Sequence, residues 1–273
     1  MTECERRTLV GRAERARGAS CRSSRAKMRF LGGLIGVFAA VGALAGAACG
    51  SSSSSEATAT AQATAVVATP ALEPTPIVIK IDPGNNPSQG PADAKVTIIE
   101  FADFQGLKCA SFATDTLPQI MANYGDKVRF VFMNLLLTKG DQYSEKAAEA
   151  GECAYAQGAF WPYHDMVFQN QSIFSSLSVD QPAADVAKLV DSLKGFAAQL
   201  GLDTATFNAC LDSGKMASAV QADQQVAQKA VNDAQLTNGI VLPAFFINGR
   251  YLGGAKPYAS FQEAIEYVMA VDK

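Results

Sequence analysis

The sequence predicts an α/β fold in which a helical block interrupts a small α/β layer. Three observations carry that expectation: two strand-like runs flank a helical one, a long helical stretch follows, and a hairpin with a last helix closes the chain. Val96–Phe101 is β-branched and apolar and reads as a buried strand. Ser111–Tyr124 sets Phe112, Leu117, Ile120, Met121 and Tyr124 at helical spacing, and Pro118 within it predicts a kink. Lys127–Leu137 reads as a second strand, with Val128, Phe130 and Phe132 alternating against Arg129 and Val131. Strand, helix, strand makes a βαβ unit and so a parallel pair.

From Gln142 to about Gln235 the pattern is helical, and Gly158, Pro162, Pro182, Gly201 and Gly214 divide it into four or five helices. Val241–Leu252 reads as a β-hairpin with Asn248-Gly249 as its two-residue turn. The last helix is expected to start near Ser260, an N-cap with Glu263 three residues later. Phe261, Ile265, Val268 and Met269 would form its buried face.

The charges divide the chain. Residues 1–29 hold nine Lys/Arg and three Asp/Glu, net +6; residues 77–273 hold 14 and 21, net −7. An acidic body without a basic stripe speaks against nucleic acid as a partner. Residues 30–49 follow Arg25, Lys27 and Arg29 with an uncharged, Gly/Ala-rich run ending at Cys49, the order of a secretory signal or a membrane anchor. Three fates stay open: lipidation at Cys49, an uncleaved anchor, or cleavage and release. A bacterial lipoprotein box would have Leu three residues before the cysteine, whereas Leu44 stands five before Cys49. Met28-Arg29 would be an ordinary signal start, so residues 1–29 read as an over-long start or a basic tail. Cys4 and Cys21 have no assigned role. Residues 50–76, rich in Ser, Thr, Ala and Pro, cannot bury enough apolar surface to fold and read as a tether.

Three segments then carry a resemblance. They are Gly90–Cys109 (GPADAKVTIIEFADFQGLKC), Ala147–Asp165 (AAEAGECAYAQGAFWPYHD) and Asn238–Tyr258 (NGIVLPAFFINGRYLGGAKPY). In that order they resemble the DsbA-like thiol:disulfide oxidoreductases. The resemblance implies a thioredoxin fold, with residues 77–140 and 236–273 forming the thioredoxin-like domain and 141–235 a helical insertion. It also implies an extracytoplasmic location, disulfide chemistry on other proteins and no cofactor.

In that family a strand runs into Cys-x-x-Cys at a helix start. The first thiolate, stabilised by backbone N–H groups and the helix dipole, attacks the client, and the second cysteine resolves the mixed disulfide. Here the four positions read Gly106-Leu107-Lys108-Cys109. The attacking position has no sulfur, and a single thiol cannot store a disulfide. By resemblance Glu100 matches the buried acid beneath the active site, Pro243 the cis-proline, and Leu242 the residue before it. As the end of an apolar strand, Glu100 needs a partner or a raised pKa.

Cys153 and Cys210 remain as a pair in the helical block. They could form a structural bridge, stay as two buried thiols, or one of them could pair with Cys109. His164, the only histidine, sits among Phe160, Trp161 and Tyr163 and fits packing better than a dyad with Cys109. No metal-ligand spacing or phosphate-binding glycine loop is present. The expectation is an exported, membrane-anchored domain that binds extracytoplasmic proteins or peptides without oxidising them. The alternative is an oxidoreductase that uses Cys109 as a single thiol.

Overall fold

A computed structural model describes residues 77–175 and 182–272; the leader, Cys49 and the tether lie outside the described residues. Five strands form one sheet in the order β1-β3-β2-β4-β5. They are β1 (Ser88–Gln89), β2 (Val96–Ala102), β3 (Val128–Asn134), β4 (Ala244–Ile247) and β5 (Arg250–Gly253). β2 and β3 run parallel with Val96 opposite Val128, and the other pairings are antiparallel. The two-residue edge strand β1 has too little apolar pattern to be seen in the sequence; backbone pairing with Phe130 and Val131 makes it a strand.

The sheet is buried on both faces. Ile98, Phe130, Phe245 and Ile247 pack with Phe112, Ile120 and the last helix, α9 (Tyr258–Val271). Ile99, Phe101, Val131 and Phe246 point the other way, onto Ala227 and Ala230 of α8 (Ala217–Asp233). This two-sided burial explains why β2 reads as a nearly continuous apolar run.

The helix after β2 differs from expectation. It begins at Leu107, with α1 (Leu107–Ser111), a π-helical turn at Phe112–Thr116 and α2 (Leu117–Tyr124). The irregularity is therefore that π turn, where the Leu117 N–H reaches back five residues to the Phe112 carbonyl. Pro118 falls in the first turn of α2, where its missing N–H costs little.

Between β3 and β4 stand six helices among the described residues, more than the four or five expected. They are α3 (Gln142–Tyr155), α4 (Phe160–Gln169), α5 (Ser172–Ser175), α6 (Pro182–Gln199), α7 (Thr204–Ser213) and α8. The extra one is the single turn α5, too short for periodicity to reveal. Tyr163, Leu193, Phe196, Phe207 and Leu211 build their shared core, which reaches the sheet through Phe104 and Phe132.

Asn248 and Gly249 turn the β4–β5 hairpin with positive φ at both residues, as a type I′ turn requires. Gly249 is further required by close approach, because a Cβ there would stand 2.0 Å from the Ile79 carbonyl oxygen. α9 starts at Tyr258 after an extended Pro257, not near Ser260. Tyr258 packs on the sheet core, so the helix is already formed where the Ser-x-x-Glu pattern lies. No described helix is long and apolar enough to cross a membrane.

Candidate active site

The site forms where β2 ends. Asp103 turns the chain, and Gly106 caps α1 with extended backbone (φ −74°, ψ 113°). The Gly106 N–H donates to the Asp103 carbonyl at 2.9 Å, and its own carbonyl accepts from the Ala110 N–H at 2.9 Å. With φ negative, the backbone does not demand glycine.

A Cβ built on Gly106 would lie 2.9 Å from Cys109 Sγ and 3.4 Å from Cys109 Cβ. Paired disulfide cysteines place their Cβ atoms about 3.5–4.5 Å apart. The backbone at 106 and 109 is thus close to the spacing of a bridged pair, with sulfur on one side only.

Cys109 is 1 % exposed, and it is the free cysteine among the described residues. Burial, then the nearby Glu100 carboxyl, holds its thiol far above the ordinary range, and hydrogen bonding at the Asp103 backbone offsets little of this. Reactive thiols sit in electropositive, partly exposed places. Cys109 has neither property.

Glu100 is fully buried in β2, opposite Phe132 on one side and Phe245 on the other. Neither carboxylate oxygen has a hydrogen-bond partner among the described residues. Burial alone raises its pKa well above the usual carboxylate range and so favours the neutral acid. The strand that the sequence marks as apolar is what strips its partners.

The Leu242–Pro243 peptide is cis. Pro243 is buried and enters β4 at the end of the sheet where β2 leads into α1, since Ala244 pairs with Phe101. Its carbonyl accepts from the Gly254 N–H at 2.8 Å. Leu242 is half-buried against both neighbouring cores. Topology thus brings Gly106, Cys109 and Pro243 to one end of the sheet, with Glu100 beneath.

Cys153 on α3 and Cys210 on α7 are disulfide-bonded, with Cα atoms 5.9 Å apart. They belong to the helical core. His164 is fully buried, edge-on to Phe104, Phe132 and Phe168. Burial lowers its pKa, so it is neutral, and Nδ1 lies 2.8 Å from Asp165 Oδ1. It is packing and positioning, with no hydrogen bond to Cys109.

Two polar features escaped the sequence reading. Asp103, 1 % exposed, accepts from the Gln105 N–H at 2.8 Å, the Leu137 N–H at 2.7 Å and the Ser144 hydroxyl at 2.8 Å. It ties the turn before α1 to the loop after β3 and to α3. Its position right after an apolar strand was the available signal. Asn134 donates from its backbone N–H to Asp223 Oδ2 at 2.9 Å and from Nδ2 to Glu152 Oε1 at 2.8 Å. Those partners lie 18 and 89 residues away, beyond any local pattern.

The comparisons agree with this geometry. A family model described as Thioredoxin matches residues 83–267. Disulfide bond formation protein D of Bacillus subtilis is 30 % identical over 186 residues, covering 66 % of this chain and 75 % of that protein. The oxidised BdbD structure from Bacillus subtilis superposes with a TM-score of 0.58 at 25 % identity, over 71 % of this chain and 98 % of that one. The α-DsbA1 structure from Wolbachia pipientis superposes with a TM-score of 0.56 at 22 % identity, over 68 % and 92 %. A protein named Na(+)/H(+) antiporter NhaA in Herminiimonas arsenicoxydans is 34 % identical over 182 residues, 66 % of this chain. The chain spans only about a quarter of that relative's length, 25 %. With the family model matched over most of the folded body, the chain belongs to the thioredoxin family and is DsbA-like, related to the thiol:disulfide oxidoreductases.

Proposed function

We propose that this is an exported, redox-silent DsbA-like domain that binds polypeptides at the Gly106–Pro243 end of the sheet without passing them a disulfide. The observation that carries the reading is the Cβ position of Gly106, 2.9 Å from a buried Cys109 Sγ. It is where the β-carbon carrying a bridging sulfur would sit, and in Gly106 a hydrogen stands there instead. A disulfide donor must close its own ring between turnovers, and one thiol cannot.

The binding part of the reading rests on exposed apolar side chains. Leu107, Leu137 and Val241 are 69 %, 57 % and 59 % exposed. Leu107 opens α1, Leu137 is bonded to Asp103 through its N–H, and Val241 precedes Pro243 by two residues. A helix start and two loops therefore present apolar side chains at one sheet end, the kind of surface that marks an interaction site. The single-thiol alternative is not favoured, because burial keeps Cys109 both covered and protonated.

The test is refolding of reduced ribonuclease with the wild-type protein, beside capture of an unfolded apolar polypeptide. Binding without any gain in disulfide formation supports the reading. Turnover near that of two-cysteine relatives, abolished by Cys109→Ala, overturns it. Membrane attachment through residues 30–49 belongs to the same proposal, and mass spectrometry of the mature N-terminus tests it by finding, or not finding, an acylated Cys49.

A further inference from the structure

Away from Gly106 a cavity of about 250 Å³ opens between the π turn, α2 and α4. Its size is below that of drug-sized sites, about 300–1,000 Å³, and suits one inserted side chain. Leu117 and Met121 supply apolar walls, Trp161 an aromatic one, and Thr114 and Gln169 polar edges. Among the described residues Asp165 is the one charged residue lining it.

Trp161 is held at ring-centroid distances of 5.2 Å from Phe160, 5.2 Å from His164 and 6.0 Å from Phe130. The indole is thus fixed before any ligand arrives. Asp165 is fixed as well, through Oδ1 on His164 Nδ1 at 2.8 Å, while its side chain stays 55 % exposed. His164 Nε2 has no partner among the described residues, so the proton of this neutral ring belongs on Nδ1, aimed at the carboxylate. No Lys or Arg pairs with Asp165 among the described residues. An oriented carboxylate beside a rigid indole, unpaired with any cation, is the chemistry of a guanidinium or ammonium subsite.

We infer that the Trp161–Asp165 cavity takes the basic side chain, arginine by preference, of a bound polypeptide. The planar guanidinium stacks on the indole and donates an N–H to the free oxygen of Asp165. The acidic body, net −7 over residues 77–273, favours approach of a basic segment. Only the source of the arginine, a polypeptide client, rests on the function proposed above; the cavity is separate from the Pro243 loop. Thr114 lies eight residues after Gly106 on the same helical run, about 12 Å along it. An extended client reaching both places would span four or more residues.

Trp161 is the only tryptophan in the chain, so its fluorescence reports on this cavity. The full-length protein is titrated with a blocked Gly-Arg-Gly peptide, with the same peptide carrying citrulline, and with free arginine. A saturable change is expected with the arginine peptide, at least tenfold weaker with citrulline, and weakened at least tenfold by Asp165→Asn. Met121→Lys, which places an ammonium in the cavity, should abolish the response even if Asp165→Asn disturbs folding. Free arginine binding as tightly as the peptide, a citrulline response equal to that of arginine, or unchanged binding in either variant overturns the inference. An arginine response without any capture of apolar polypeptide would sink the proposed function while leaving this cavity in place.

Discussion

In the helical block Cys153 and Cys210 are joined, whereas at the start of α1 the buried Cys109 faces Gly106, and the surroundings of the two sulfur sites differ as well. Each has a buried carboxyl beside it. Glu152 precedes Cys153 and shares the Asn134 side chain with Asp223. Glu100 lies under Cys109 with no hydrogen-bond partner among the described residues. The first site is a brace: two helices, a covalent bond and two carboxyl groups that share the Asn134 amide nitrogen. The second keeps the scaffold that tunes a reactive thiol, namely a helix start, a buried acid and a cis-proline loop, around a position without sulfur. A brace depends on its covalent bond and the packing around it. A redox pair depends on one exposed atom, and its loss leaves the packing untouched.

The largest effect that could break this contrast is a gain of chemistry. Gly106→Cys should turn the second site into a bridged pair, because φ −74° accepts any side chain and the Cβ would already lie 3.4 Å from that of Cys109. Denatured wild-type domain should show the Cys109 thiol, the oxidised variant should not, and ribonuclease refolding should rise from baseline to turnover. Gly106→Ala should stay at baseline. If the cysteine variant forms no bridge and gains no turnover, the site has been misplaced.

Next in size is the brace itself. Replacing both Cys153 and Cys210 by alanine opens a loop spanning 57 residues. The chain-entropy model gives about 4 kcal/mol for a loop of that length. Urea unfolding should show a loss of that order, while polypeptide capture at the Pro243 end persists. A loss under about 1 kcal/mol would mean that packing alone holds α3 to α7.

Much of this was legible in the sequence, and the gaps have physical causes. β2, β3, the hairpin turn and the face of α9 follow from periodicity, because each buries a regular stripe. β1 was invisible because two residues of backbone pairing leave no pattern. The start of α9 was misread because Pro257 and the packing of Tyr258, not the Ser260 cap, fix it. The kink moved from Pro118 to the π turn before it, since proline tolerates a first turn. At the site, Gly106 and Cys109 stand out as departures from a known spacing, whereas Asp103 and the Asn134–Glu152–Asp223 cluster are made by partners distant in the chain.

That cluster gives the brace side of the comparison a pH signature. Burial, and then the neighbouring Asp223 carboxylate, raises Glu152 to about 7, with the Asn134 hydrogen bond offsetting part of the rise. The unfolded carboxyl titrates near 4.5. Between those values the folded state binds the extra proton, so stability is full below about pH 4.5 and falls as pH rises through about 7. At about 1.4 kcal/mol per pKa unit the loss is about 3 kcal/mol at most. Asp223, also raised by burial, adds in the same direction. Unfolding free energy should fall from pH 5 to pH 8 in the wild type and fall by less in Glu152→Gln, where the raised carboxyls of Glu100 and Asp223 still contribute. A wild type whose stability does not fall over that range would show that Glu152 is already charged at pH 5.

The smallest expected effect concerns the other carboxyl. Burial is the leading cause of the raised Cys109 thiol pKa, and Glu100 is second. Since burial also pushes Glu100 itself towards its neutral form, its negative charge is suppressed as well. Glu100→Gln should therefore leave the alkylation rate of native Cys109 by iodoacetamide within about threefold of wild type. A tenfold rise would equal about one pKa unit and would make charge, not cover, the reason for the silence of Cys109. The contrast between the two sulfur sites would then rest on one ionised side chain, and the single-thiol enzyme would regain its case. An unchanged rate keeps the explanation in the packing: the thiol is silent because the fold around α1 covers it.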